Sequence, residues 1–151
     1  MRKVVILLTT WGGVGLSPIA PGTAGTAAAV PLFLILALLP LKGYLLILST
    51  IFLLACWLAG KAEKIFNQHD SRCIVIDEVV GFLTTMTSFH PSLSSIILGF
   101  CLFRFFDIVK PPPISFLEKR IKGGFGVVLD DVAAGIYANI VLQLLSVFFS
   151  L

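Results

Sequence analysis

The residues able to do chemistry in this sequence are mostly acids set beside apolar runs. Asp77 and Glu78 follow Ile74, Val75 and Ile76, while Asp130 and Asp131 follow Val127, Val128 and Leu129. Arg104, Asp107 and Lys110, in "FRFFDIVKPPP", are spaced i, i+3, i+6 and share one face of a helix. Clustered carboxylates repel one another, and neighbouring bases relieve only part of that repulsion. A hard divalent cation relieves the rest: Mg²⁺ takes oxygen ligands, often one or two carboxylates together with phosphate oxygens and water. Arg104 and Lys110 would then supply the positive charge that phosphoryl transfer demands.

Each group also has a plainer explanation. The Arg104, Asp107 and Lys110 ladder could be a buried ion-pair network. Acids in a first helical turn are favoured by the helix dipole. The repetition of acids at one apparent membrane depth argues for a shared site. Asp70, Asp77, Glu78, Asp107, Asp130 and Asp131 are the candidate metal ligands, and Asp77, Asp107, Asp131, Lys110 and His69 the candidate catalytic residues. His69 would protonate a leaving alkoxide, and Asp70 would bind metal or act as a base behind it.

The Gly/Pro-rich loop "WGGVGLSPIAPGTAGT" runs into a helix, where backbone N–H groups bind anions and Thr23 or Thr26 could cap the helix or touch a phosphate. Thr23, Thr26, Arg104 and Lys110 are the candidate substrate-binding residues. Gly81 and Gly135 stand four residues after Asp77 and Asp131, which permits close helix approach below the acids. The sequence has no Cys-x5-Arg thiolate motif, no Asp-x-Asp nucleophile and no Walker A lysine, and its two histidines are too few for a histidine-rich phosphatase site. Metal-activated water or an acid nucleophile would have to make the attack.

These residues need a scaffold. Soluble domains carry about 45 to 50% apolar and about 25% charged residues. Here the figures are 58% and 13% with mean hydropathy +1.04, which indicates a membrane protein. The net charge of +3 comes without a basic stripe, so no nucleic-acid partner is expected. Cys56, Cys73 and Cys101 have no ligand spacing and read as packing residues.

Punctuation by Gly, Pro and Ser cuts the chain into apolar segments at 26–40, 44–60, 74–89, from Ser92 to the "KPPP" break, and 127–151. The 44–60 segment continues without a breaker through "KAEKIFNQ", so one helix is expected to leave the membrane and extend into water. The N-terminus lacks a signal-peptide cleavage site and reads as an interfacial helix, as does "ISFLEKRI". The expected fold is all-α: one domain over 1–151, a polytopic membrane helical bundle of four or five apolar segments with a cytoplasmic-side interfacial helix. Ten of the eleven Lys and Arg fall in residues 1–25, 61–78 and 104–131, with only Lys42 outside; all eight acids lie in the same set. By the positive-inside rule that side is cytoplasmic.

Four blocks, "GLSPIAPGTAGT" (15–26), "HDSRCIVIDEVVG" (69–81), "FRFFDIVKPPPI" (103–114) and "GGFGVVLDDVAAG" (123–135), resemble in order and spacing those of the bacterial phosphatidylglycerophosphatase A family. The resemblance implies a Mg²⁺-dependent, multi-pass enzyme of the bacterial inner membrane with its active site on the cytoplasmic side. Its phospholipid substrate would be phosphatidylglycerophosphate, hydrolysed to phosphatidylglycerol and inorganic phosphate. Asp77 and Glu78, Asp107 and Lys110, Asp130 and Asp131, Thr23 and Thr26, and His69 and Asp70 match positions in those blocks. Thr26 stands where Ser is common and Ser71 where Pro is common, neither at a charged position.

Three alternatives remain: a phosphatase for another lipid phosphate, a non-enzymatic ion or proton transporter, and a structural membrane subunit. The transporter predicts acids at the bilayer midplane and on both sides. The longer acidic signature of CDP-alcohol phosphotransferases, "DGxxAR", does not occur. The sequence leaves the oligomeric state open.

Overall fold

The structure, a computed structural model, describes residues 2–68, 71–112 and 114–148. Among these every regular element is helical: α1 (Arg2–Thr9), α2 (Pro21–Leu36), α3 (Leu41–Phe66), α4 (Ile76–Thr85), α5 (Leu93–Val109), α6 (Ile114–Arg120) and α7 (Gly124–Phe148), with a 3-10 turn at Val14–Leu16.

The centre is α4. Eight of its ten residues are buried, including Val79, Val80, Phe82 and Leu83, which have no exposed surface. A helix apolar on every side must be surrounded. On one side Phe82 and Leu83 join Phe33, Phe103, Ala134 and Leu142 from α2, α5 and α7. On the other, Ile76 and Val80 join Ala55, Ala59, Val127 and Val128 from α3 and α7. Its most extensive partner is α7. Gly81 and Gly135 set that crossing: a Cβ on Gly81 would stand 2.8 Å from the Asp131 carbonyl oxygen and strike the Phe103 ring, and one on Gly135 would strike the Gly81 carbonyl.

Helix boundaries depart from the expected segments in three places. The last helix starts at Gly124 rather than near residue 127: the Gly123 carbonyl accepts the N–H groups of Gly126 and Val127, and Gly124 sits against the Cys56 carbonyl and Gly60 in a space too small for a Cβ. Asp130 and Asp131 therefore lie about two turns inside α7, beyond reach of a first-turn dipole argument. Helix α2 starts at Pro21, where proline at the first helical position costs no hydrogen bond, and it ends at Leu36. The 74–89 segment is helical over ten residues only.

Two helices, α3 and α7, are long and apolar enough to cross a membrane. Only 28% of the apolar window of α3 is buried and 50% of that of α7, whereas a soluble core helix would be mostly buried. At about 1.5 Å per residue, the 26 residues of α3 reach roughly 39 Å, past a hydrocarbon core of about 30 Å. The outward faces carry Leu46, Leu53, Trp57, Ile97, Ile140 and Leu144, all more than half exposed, as expected of a membrane-associated protein rather than a soluble monomer.

Candidate active site

A cavity of about 480 Å³ opens where the start of α4, the end of α5 and the first turns of α7 converge. The loop before α2 closes one side with Ser17, Pro18 and Ala20, and Arg72 and Cys73 close another.

The first turn of α4 is held by the backbone before it. Val75 donates its N–H to the Thr9 carbonyl at 2.9 Å, and Ile74 to the Ser71 carbonyl at 2.8 Å. Asp77 and Glu78 are thereby fixed at the cavity wall, with Asp77 Oδ1 accepting the Glu78 N–H at 3.0 Å. Gly22 closes over Glu78: a Cβ there would collide with the carboxylate and lie 3.1 Å from both terminal nitrogens of Arg104.

On α5, Arg104 and Asp107 are one turn apart, with Nη1 2.6 Å from Asp107 Oδ2 and 4.0 Å from Glu78 Oε1. The shorter contact is an ion pair without an aligned N–H bond, since Nη1 and Nε have no hydrogen-bond acceptor. Lys110 ends the helix at φ 45°, in the left-handed region, just before Pro111, which has no N–H to extend a helix. That turn aims Nζ at Asp130 Oδ2, 2.6 Å away. Asp130 Oδ1 also accepts the Asp131 N–H at 3.1 Å.

Oxygens of Asp77, Glu78 and Asp131 lie within 4.8 Å of one another. At that spacing and an effective dielectric near 20, two carboxylates repel by about 3 to 4 kcal/mol. Asp107 and Asp130 add their charges to the field at Asp131. Five carboxylates line the cavity against three cations, Arg72, Arg104 and Lys110, an excess of two negative charges among the described residues. Asp131 Oδ2 and Glu78 Oε2 are buried with no hydrogen-bond partner. An unpartnered buried carboxylate oxygen costs folding free energy unless a ligand meets it.

The three acid blocks thus meet at one place, as their common apparent membrane depth suggested, though unequally. Asp77, Glu78 and Asp131 form the tight group, while Asp107 and Asp130 each hold a base. Thr23 and Thr26 lie elsewhere. Thr23 is exposed, Thr26 is buried and donates its hydroxyl to the Gly22 carbonyl at 2.9 Å, and neither lines the cavity. In that block Ser17, Pro18, Ala20, Pro21 and Gly22 line the cavity, and Gly22 packs against Glu78 and Arg104. His69 and Asp70 lie outside the described residues. Arg72, which sequence reasoning passed over, is at the cavity mouth with no ion-pair partner among the described residues. The three cysteines are free; Cys56 is buried as a packing residue would be, whereas Cys73 is half-buried and Cys101 exposed.

The profile of the family described as Phosphatidylglycerophosphatase A matches residues 7–146. A protein of Haemophilus influenzae named Phosphatidylglycerophosphatase A is 43% identical over 139 residues, covering 90% of this chain and 85% of the relative. One of the same name from Escherichia coli is 34% identical, covering 86% and 76%. A Bacteroides thetaiotaomicron protein, provisionally named a phosphatidylinositol-3-phosphatase, is 37% identical, covering 91% and 90%. No solved structure matches the chain. With the profile spanning nearly the whole sequence and the alignments spanning most of each relative, this chain belongs to the phosphatidylglycerophosphatase A family.

Proposed function

We propose that this protein is a phosphatase of membrane lipids that removes the terminal phosphate of phosphatidylglycerophosphate, releasing phosphatidylglycerol and inorganic phosphate. The family membership supports the reaction, and one observation carries the site: carboxylates from distant parts of the chain gather in a single open cavity beside two paired bases. The same acids account for a Mg²⁺ requirement. An all-oxygen donor set, two unpartnered carboxylate oxygens and a surplus of two negative charges fit a hard divalent ion, with Asp77, Glu78 and Asp131 to hold it. When bound, the ion would supply charge neutralisation at the phosphoryl oxygens and polarisation of the attacking water.

The chain's own residues do the rest. Arg104 and Lys110, each already set against a carboxylate, shift toward the phosphoryl oxygens as negative charge spreads over them. Asp131 orients the water and takes its proton; Asp77 is the other candidate for that task. Water adds to phosphorus as the bond to the glycerol oxygen breaks, and that oxygen takes a proton from His69 or from water in the cavity mouth. Arg72 meets the second phosphate, the diester that stays with the lipid, and so favours a substrate with two phosphates over one.

The acyl chains remain in the bilayer while the headgroup enters the cavity. The apolar helices α2, α3, α4, α5 and α7 form a multi-pass bundle in the inner membrane, as one domain over 1–151. The basic residues gathered at the acid end support a cytoplasmic mouth, with α1 and α6 lying at the interface.

A second reading, hydrolysis of another lipid phosphomonoester, is favoured by the Bacteroides relative's name. The deciding experiment measures Mg²⁺-dependent phosphate release by the purified protein from phosphatidylglycerophosphate, phosphatidate and phosphatidylinositol 3-phosphate. Preference for the first supports the proposal. Equal or better turnover of another lipid replaces it, and no release from any of them refutes a phosphatase.

A further inference from the structure

A second concavity, of about 620 Å³, lies on the other side of the α3–α7 junction. Its floor is the contact of Gly60 with Gly124, where a Cβ on Gly60 would stand 3.4 Å from the Gly124 nitrogen. Because no side chain separates the helices there, flanking side chains form walls around a groove. The lower wall is apolar and outward-facing, with Leu53, Trp57 and Phe125 each more than half exposed. The upper wall is cationic, with Lys61, Lys64 and Lys122 against one acid, Glu63. Lys61 Nζ sits 3.6 Å from the centre of the Trp57 ring and marks the border between the two.

Apolar below and cationic above is the profile of an anionic lipid. A soluble anion would leave Leu53, Trp57 and Phe125 uncovered, and a neutral lipid would leave an excess of two positive charges over Glu63 uncompensated. Lysines at a membrane surface attract anionic headgroups, and aromatic rings settle at headgroup level. We infer that this groove binds one intact anionic phospholipid of the surrounding bilayer, its phosphate on Lys61, Lys64 and Lys122 and an acyl chain along Leu53, Trp57 and Phe125. The inference rests on the membrane placement proposed above and is independent of the hydrolytic reaction. Gly124 and Phe125 line this groove while Val127, Asp130 and Asp131 line the acid cavity, so the occupant braces the same turns of α7 from outside.

The test uses the full chain in phosphatidylcholine vesicles carrying, at equal mole fraction, either brominated phosphatidylglycerol or brominated phosphatidylcholine. The protein has two tryptophans, so Trp11→Phe leaves Trp57 as the sole tryptophan, excited selectively beyond the tyrosine absorption. Brominated phosphatidylglycerol should quench Trp57 at a roughly tenfold lower mole fraction. The triple change Lys61→Gln, Lys64→Gln, Lys122→Gln should erase that preference, and the same positions as Arg should keep it.

Equal quenching by the two lipids, or a preference that survives the triple Gln change, overturns the site. Quenching by neither lipid overturns the site and the membrane placement together. Trp11 donates its indole N–H to the Ala28 carbonyl, so a parallel measurement retains it: phosphatidylglycerol carried through detergent extraction, counted by native mass spectrometry, should fall in the triple Gln variant. Undiminished retention overturns the site. Phosphate release in detergent should be unchanged by the triple Gln substitution; its loss would put the lysines in the active site and overturn a separate lipid site.

Discussion

The two ends of the helical bundle treat polar groups in opposite ways. At the end away from the acids, buried polar atoms are neutral and matched. The Tyr44 hydroxyl donates to the Leu83 carbonyl at 2.6 Å, and Asn139 Nδ2 donates to the carbonyls of Thr85 and Thr87 at 2.7 and 2.9 Å. Ser92 and Ser95 cap the start of α5 reciprocally, and Ser95 also donates to the His90 carbonyl at 2.7 Å. At the acid end, the same helices hold Asp77, Glu78 and Asp131 in mutual repulsion, with Glu78 Oε2 and Asp131 Oδ2 left without a hydrogen bond. Burying charge without full pairing costs several kcal/mol, so a site selected for stability alone would not be built this way. One end holds the helices together, and the other holds strain for a ligand to relieve.

The sharpest way to break that contrast is Asp131→Asn. Phosphate release should fall by about a thousandfold, roughly 4 kcal/mol, while the melting temperature stays level or rises as repulsion drops. Wild-type turnover in the folded variant would end the assignment. Removal of divalent ions tests the same end reversibly: chelation should stop turnover and Mg²⁺ restore it. Saturating Mg²⁺ at about a hundred times its dissociation constant should stabilise the fold by about 2.7 kcal/mol. That gain, read as a melting shift, should vanish in Glu78→Gln and persist in variants at the far end.

The opposite pattern is expected of Asn139→Leu. It strands the Thr85 and Thr87 carbonyls and should cost about 1 to 3 kcal/mol in thermal unfolding, with kcat within about twofold of the parent. The smallest effect is expected from Ser92→Ala, about 1 kcal/mol for the lost cap and no change in phosphate release. A large kinetic loss in either would show the two ends to be coupled.

How much of this was legible beforehand depended on whether a signal was local. The meeting of the acid blocks could be argued from charges stranded among apolar residues, and the crossing at Gly81 and Gly135 from spacing alone. The start of α7 was hidden, because "GGFG" reads as a loop by propensity, and the close packing that requires glycine at 124 involves Gly60 and the Cys56 carbonyl, 64 or more residues away in sequence. The block "PGTAGT" offered two threonines as the obvious polar groups, yet what approaches Glu78 and Arg104 is the bare backbone of Gly22. Pro21 was the available cue, since a proline at the first helical position turns the residues after it into helix. Arg72 belongs to an aperiodic loop, where nothing in the pattern distinguishes it from a solvated surface charge.

The short central helix also closes the acid cavity from within. Beneath Asp131 the Phe103 ring fills the notch at Gly81, and Phe82, Leu83 and Met86 close in behind it with no accessible surface. Among the described residues, these core side chains close the inner end of the acid cavity with hydrocarbon. Phosphate set free there would depart on the side by which the headgroup arrived.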